Sequence, residues 1–149
     1  MIKQFITLLI ALCFIAACRS PQVGTTPVIV EKVGIRFETP ILFEQILSKS
    51  RALNKPIFLI FGATWCAPCK LMEENVFTDP SVADYFNKHF IAYKADADSD
   101  PNGKLLRLSY NISIYPTLLF LDPDGNELQR VESGVGQSQL LEMAQRVVR

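Results

Sequence analysis

The chain has 149 residues, enough for one domain with a buried core, and its 15 basic and 15 acidic side chains leave no net charge. This balance argues against a nucleic acid or another polyanion as partner, because such partners are bound by strongly basic surfaces. Hydrophobic residues make up 49% of the chain, a high fraction for a soluble domain, and the N-terminal residues account for part of the excess.

The N-terminal residues have the features of a targeting segment. Lys3 supplies a positive charge, and the apolar run Phe5–Ala17 is too short to span a bilayer comfortably. Small residues end this run directly before Cys18, a pattern that resembles the bacterial lipobox, in which cleavage leaves the cysteine lipidated. We therefore predict a lipoprotein signal peptide over residues 1–17 and a membrane anchor on Cys18. An ordinary signal peptide or an uncleaved anchor is the alternative.

The first part of the mature chain predicts a tether followed by alternating elements. Residues 18–27 are rich in small and turn-forming residues without periodicity, which predicts a tether to a domain over residues 28–149. The β-branched stretch Val28–Phe37 predicts a first strand. Apolar residues at near-helical spacing predict a helix from about Pro40 to Leu53. The continuous apolar run Ile57–Phe61 predicts a central strand buried on both faces.

The segment Trp65-Cys66-Ala67-Pro68-Cys69-Lys70 places a Cys-x-x-Cys pair between that strand and a helix-compatible stretch. The free N–H groups and the positive dipole end of a helix favour a thiolate. We therefore predict a lowered pKa and the nucleophilic role for Cys66, at the exposed helix start. Two intervening residues let Cys69 close a disulfide within one helical turn. Pro68 suits the first turn, where its missing N–H costs nothing.

Two other interpretations of the cysteine pair are weaker. Half of a zinc site would need a second pair of ligands. The remaining cysteines, Cys13 and Cys18, lie in the N-terminal segment, and the single histidine, His89, falls at the end of a predicted helix, where we assign it no catalytic role. A purely structural disulfide across so short a loop would constrain the unfolded chain little. The pattern therefore favours a redox-active dithiol, without a metal or another cofactor.

The middle of the chain predicts a helix and a strand. Asp79 is placed to cap a helix that begins at Pro80, and Phe90–Ala95 has the composition of a strand. The acidic run Asp96–Asp100 resembles a calcium loop, but a proline stands where that loop needs glycine and an arginine where it needs glutamate. We therefore interpret the acidic run as a loop and a helix cap.

The last third predicts a helix, a hairpin and a closing helix. The helix covers Lys104–Tyr110, and the hairpin joins the strand Leu118–Leu121 to Leu128–Val131 through the turn Asp122–Asn126. The final helix begins near Ser138. Early strands joined by crossover helices and a late hairpin predict an α/β domain with a mixed central sheet and helices on both faces.

From about Phe37 to its C-terminus, the chain resembles the thioredoxin superfamily. The resemblance rests on the apolar strand before the cysteine motif, on Tyr115-Pro116-Thr117 before a strand, and on the terminal hairpin and helix. Within the superfamily, residues 76–80 are more similar to the periplasmic C-terminal domain of the membrane thiol:disulfide interchange reductase and to small exported thioredoxin-like proteins. The resemblance implies a thioredoxin-like fold.

The resemblance also implies the surroundings of the dithiol. Pro116 is expected to be cis and to lie against the cysteine pair. The backbone of the preceding residue, Tyr115, would then pair with an extended substrate. Trp65 is expected to cover the dithiol as an apolar lid, with a core aromatic as the alternative. Pro68 completes the expected active-site support.

One position departs from the family pattern. Thioredoxin has a buried aspartate six positions before the first cysteine, which helps to move the proton of the second cysteine. This chain has Ile60 there, and the accompanying lysine corresponds to Lys94. The resemblance therefore does not explain how Cys69 would lose its proton.

The function predicted from these features is thiol-disulfide exchange by an extracytoplasmic, lipid-anchored enzyme. Its partners would be protein thiols and disulfides and a redox partner that donates or accepts electrons. The Ala67-Pro68 dipeptide and the reductase-like region after it favour reduction of protein disulfides. A copper carrier using the two thiolates, or a non-catalytic peptide-binding module, is the alternative.

Overall fold

A computed structural model describes residues 34–38 and 42–148 of the protein. The predicted signal peptide, the tether and Cys18 lie outside the described residues. So does the part of the predicted first strand that precedes residue 34. Within the described ranges, no helix is long and apolar enough to cross a membrane.

The described elements form one sheet flanked by helices. In chain order they are β1 (Phe37–Glu38), α1 (Phe43–Leu53), β2 (Ile57–Gly62), α2 (Ala67–Asn75), α3 (Pro80–His89), β3 (Ile91–Asp96), α4 (Gly103–Ser109), β4 (Thr117–Leu121), β5 (Glu127–Val131) and α5 (Gln137–Val147). The strand order is β1-β3-β2-β4-β5. β1, β3 and β2 run parallel, whereas β4 is antiparallel to both β2 and β5. The predicted mixed sheet is confirmed.

Only the end of the predicted first strand lies within the described residues, and most of that end is not a strand. Residues 34–36 belong to no strand, and strand structure there covers Phe37–Glu38. The backbone N–H of Ile35 donates to the carbonyl of Phe77, at 2.8 Å, and that of Arg36 donates to Asn87 Oδ1, also at 2.8 Å. Residues 35 and 36 therefore bond to the connection after α2 and to α3, and not to a neighbouring strand. The composition of the segment did not indicate these partners.

The core lies on both faces of the sheet, because side chains alternate along the strands. On one face, Phe58 and Ile60 of β2 belong to a buried cluster that also contains residues of α2, α3 and α5. On the other face, Ile57, Leu59 and Phe61 join residues of α1 and α4. Every residue of β2 is buried, as its continuous apolar sequence predicts for a central strand.

Two aspartates fix the boundaries that the sequence predicts for them. Asp79 Oδ1 accepts hydrogen bonds from the backbone N–H groups of Ser81 and Val82, at 2.9 and 3.1 Å, and so caps α3. Asp122 Oδ1 accepts from the N–H of Asn126, at 2.8 Å, in the turn between β4 and β5. The side chain of Asn126 also donates to Asp122, and these hydrogen bonds lower the pKa of the carboxyl. The start of α3 and the turn of the hairpin are therefore set by hydrogen bonds between residues that are close in sequence.

Candidate active site

The cysteine motif forms the junction between β2 and α2. Cys66 is the N-cap of α2, and its Sγ accepts a hydrogen bond from the backbone N–H of Cys69, at 3.3 Å. Pro68 occupies the first turn, as predicted. The two cysteines form a disulfide with a Cα–Cα distance of 5.3 Å. After reduction, the same N–H group would stabilise a thiolate on Cys66.

Both sulfur-bearing residues are buried in this disulfide form. Cys66 and Cys69 are each 3% exposed, so the expectation that Cys66 lies exposed at the helix start is wrong. The reason is packing: Ala63 is buried with the two cysteines, and Ala97 and Tyr115 pack against the three of them. Exposure therefore does not distinguish the cysteines, whereas the hydrogen bond to Cys66 Sγ does.

Trp65 stands at the surface beside the dithiol. It is 67% exposed, so the alternative of a core aromatic is wrong. Its indole Nε1 donates to Asp98 Oδ2 at 3.0 Å, and its ring lies edge-on to Tyr115 with centroids 5.7 Å apart. The indole is thus held from two sides by residues distant in sequence.

Tyr115 and Pro116 come to the site from the loop before β4. The Tyr115–Pro116 peptide bond is cis, as the resemblance implied. Tyr115 packs against the cysteine cluster and also against Phe61, with ring centroids 5.8 Å apart. The hydroxyl of the buried Thr117 donates to the carbonyl of Ile114, at 2.7 Å, which fixes this loop. The structure therefore brings Tyr115 against the cluster that contains both cysteines.

Pro68 lies near the loop before α5. It is exposed and lines a shallow cleft of about 410 Å³ together with Leu71, Met72, Gly134 and Val135. The cleft runs between α2 and the loop before α5. Neither cysteine lines it, so Pro68 shapes the surface next to the dithiol.

A second cavity, of about 370 Å³, reaches Cys69 but not Cys66. Its walls include Ile60 and Gly62 of β2, and the ion pair between Lys94 Nζ and Glu73 Oε1, at 3.1 Å. A Cβ atom on Gly62 would lie 3.0 Å from Cys69 Sγ, so glycine leaves the space that the sulfur needs. We name this space the Cys69 cavity.

The Cys69 cavity contains a residue that the sequence analysis missed. Glu73 follows Cys69 by four positions, a spacing that puts both on one face of α2 and could have indicated it. Its partner Lys94 comes from β3, where it is paired in register with Ile60. That partnership depends on the sheet and could not be deduced from α2 alone.

The acidic loop after β3 is organised by its own hydrogen bonds. Asp96 Oδ1 accepts from the backbone N–H groups of Asp98 and Ser99 and from the Ser99 hydroxyl, at 2.8 to 3.0 Å. Burial raises the pKa of Asp96, but these hydrogen bonds and the charge of Lys94 outweigh it, so the pKa lies below its usual value. Asp100 Oδ2 accepts from the hydroxyl of Tyr93 at 2.6 Å. The acidic run thus forms a loop, as predicted, but the predicted cap is wrong, because the N-cap of α4 is Asn102.

His89 takes the place predicted for it, at the C-terminal end of α3. Its ring packs at a tilt against that of Tyr85, with centroids 4.5 Å apart. Partial burial lowers its pKa, and the charges of Lys88 and Lys55 lower it further. None of these contacts involves the cysteine cluster.

A disulfide at the start of a helix, directly after a buried central strand and beside a cis-proline loop, defines a thiol-disulfide oxidoreductase site on a thioredoxin-like fold. Comparison with known families agrees. Residues 43–147 match the family model described as a thioredoxin-like domain, so the chain belongs to the thioredoxin-like domain family.

Two curated relatives are thiol:disulfide interchange proteins. The thiol:disulfide interchange protein DsbD 1 of Pseudomonas aeruginosa is 33% identical over 89 residues, which cover 60% of this chain and 15% of the relative. DsbD of Pseudomonas fluorescens is 30% identical over 108 residues, covering 70% of this chain and 18% of the relative. The chain thus spans less than a fifth of the length of these two relatives.

Solved structures cover more of the chain. A candidate disulphide-isomerase from Bacteroides thetaiotaomicron aligns with a TM-score of 0.68 and 34% identity over 80% of this chain and 97% of its own. A thioredoxin from Thermus thermophilus aligns with a TM-score of 0.66 and 22% identity over 76% of this chain and 87% of its own. The second likeness, at its lower identity, concerns the fold alone.

Proposed function

We propose that the protein is an extracytoplasmic enzyme that reduces disulfides in protein substrates through Cys66 and Cys69. The observation that carries the proposal is the disulfide at the start of α2, in which the Cys69 N–H donates to Cys66 Sγ. A reduced Cys66 in this position is stabilised as the attacking thiolate by the same N–H and by the helix dipole.

The reaction then has two exchange steps. The Cys66 thiolate attacks one sulfur of a substrate disulfide, forming a mixed disulfide and releasing the other substrate sulfur as a thiolate that takes up a proton. Cys69 attacks Cys66 Sγ, the bond to the substrate breaks, and the substrate leaves with both of its sulfurs reduced. The protein is left as the Cys66–Cys69 disulfide, and a redox partner must return two electrons before the next cycle.

Residues around the dithiol would bind the substrate chain. The backbone of Tyr115, before Pro116, would pair with an extended segment of the substrate, as in strand addition. Trp65 and Pro68 are exposed and offer apolar surface within the cysteine motif. The reductive direction is supported by Ala67-Pro68 between the cysteines and by the reductase-like sequence of residues 76–80.

Turnover without metal tests this function against the copper-carrier alternative. In a buffer containing a chelator and dithiothreitol, we expect catalytic reduction of a test protein with an exposed disulfide. Among the described residues, Met72 is the soft ligand nearest to the pair in sequence, but it is 2% exposed and belongs to the core. Tight copper(I) binding without turnover would contradict the proposal.

We also propose that Cys18 anchors the mature protein to a membrane. The support is the small-residue run before Cys18 and the tether after it. Arg19 is not aspartate, so in a bacterium with two membranes the lipoprotein sorting rule favours the outer membrane. Mass spectrometry of the mature N-terminus is expected to find an acylated Cys18. A mature chain that begins elsewhere and carries no acyl group would contradict the anchor.

A further inference from the structure

The Cys69 cavity raises the question of where the proton of Cys69 goes. Only the thiolate attacks a disulfide, so resolution of the mixed disulfide requires that Cys69 lose its proton. Cys69 is almost fully buried, and the neighbouring strand position, Ile60, has no proton acceptor. Apolar burial raises the pKa of a thiol. A base near Cys69 would therefore accelerate the resolving step.

The charged walls of the cavity contain two carboxylates. Lys70 and Glu73 come from α2, and Lys94 and Asp96 come from β3. Glu73 and Lys94 also line an adjoining cleft, which Arg36 borders from the segment before β1. Lysine and arginine side chains are hydrogen-bond donors without an acceptor, so Glu73 and Asp96 are the two candidates.

The hydrogen bonds of the two carboxylates separate them. Three donors from Asp98 and Ser99 hold one oxygen of Asp96, and they stabilise its charged form, which makes it a weak base. Glu73 has its ion pair with Lys94, and both side chains remain partly exposed. The carboxylate of Glu73 is thus oriented by a cation without being enclosed by backbone donors.

The path from Cys69 to Glu73 is short along α2 and open through the cavity. The two residues are one helical turn apart on the same helix face. Gly62 leaves Cys69 Sγ in contact with the cavity, because no side chain intervenes there. A cavity of about 370 Å³ is roomy enough for several water molecules, and its polar walls would bind them.

We propose that Glu73 accepts the proton of Cys69, through water in the Cys69 cavity, as Cys69 resolves the mixed disulfide. This inference rests on the proposed function. The Cys69 thiol gives its proton to the Glu73 carboxylate, and the sulfur electron pair forms the bond to Cys66 Sγ. The bond between Cys66 and the substrate sulfur breaks, its electron pair leaves with that sulfur, and the departing thiolate takes a proton from Glu73 or from solvent.

The test uses the disulfide of thionitrobenzoate, a coloured aromatic thiol, with the reduced protein. Attack by Cys66 releases one thionitrobenzoate at a rate that depends on reagent concentration, and resolution by Cys69 releases the second at a rate that does not. The variants are Glu73→Gln, Asp96→Asn and Glu74→Gln, the last a control on the same helix outside the cavity lining. Rates are measured from about pH 6 to about pH 10, around the ordinary thiol pKa of about 8.5.

We expect Glu73→Gln to slow the second release by about tenfold or more near neutral pH and to leave the first unchanged. The rates should converge with those of the wild type at the alkaline end, where hydroxide removes the Cys69 proton. Four results would each overturn the proposal. The pH profiles of Glu73→Gln and the wild type could coincide, or Glu73→Gln could slow the second release equally at every pH. Glu74→Gln could slow it as much as Glu73→Gln does, or Asp96→Asn alone could slow it. Absence of the first release in the wild type would instead defeat the proposed function.

Discussion

The substitution Cys69→Ser is expected to trap the protein in mixed disulfides with its substrates. The substitution Cys66→Ser is expected to abolish catalytic turnover without trapping. The reason is the asymmetry of α2, where the N–H of Cys69 points at Cys66 Sγ. Cys66 forms the first covalent bond and Cys69 releases it. Both substitutions should lower turnover by about 10³-fold or more, because resolution and attack are both required.

Non-reducing gels distinguish the two cysteines. The Cys69→Ser protein, incubated with a disulfide-containing test protein, should give a band at the summed mass that disappears with dithiothreitol. The control is the double variant Cys66→Ser/Cys69→Ser, which should give no such band. Equal trapping by both single variants would show that the order of attack is wrong.

Aspartate in place of Ile60 is expected to destabilise the fold strongly. Ile60 is 1% exposed and belongs to the cluster with Phe58 and Leu118. The change removes apolar contacts and buries a carboxyl, so the free energy of unfolding should fall by about 3 to 5 kcal/mol. Ile60→Val, which removes one methyl group, is the control and should cost about 1 kcal/mol. Urea unfolding curves measure both losses.

The same substitution bears on proton transfer. Position 60 lines the Cys69 cavity and is paired in register with Lys94, so the new carboxyl would have a cation beside it. In protein shown to be folded, Ile60→Asp should accelerate the resolving step near neutral pH. It should also restore that step in Glu73→Gln. An Ile60→Asp protein no less stable than Ile60→Val would show that this position is not the packed core site described above.

The features predicted correctly from sequence depend on residues close to one another in the chain. The cap by Asp79, the turn at Asp122 and the helix start at Cys66 each involve partners within a few positions. Element order followed from hydrophobic periodicity, and from it the mixed sheet. The cis bond before Pro116 required the family resemblance, because its local sequence has no distinguishing signal.

The features that could not be predicted depend on contacts between distant segments. The burial of Cys66 comes from Tyr115 and Ala97, on loops that only the sheet brings near. The indole of Trp65 bonds to Asp98 across 33 positions, and the backbone N–H of Arg36 bonds to Asn87 across 51. Hydrophobic periodicity and residue propensity carry no information about such distant partners. They predicted the helices and strands, but not the residues that surround the dithiol.

The antiparallel pairing of β2 with β4 has a consequence for the order in which the protein folds. The reactive pair belongs to the local unit of β2 and α2, but its cover includes Tyr115, which arrives just before β4. Contacts between segments far apart in sequence carry a larger chain-closure cost and form late. We therefore expect that, when the reduced protein folds, the local unit with Cys66 and Cys69 forms before Tyr115 covers it. In the reduced protein, the accessibility of the two thiols to a small alkylating agent would then report whether the C-terminal half has docked.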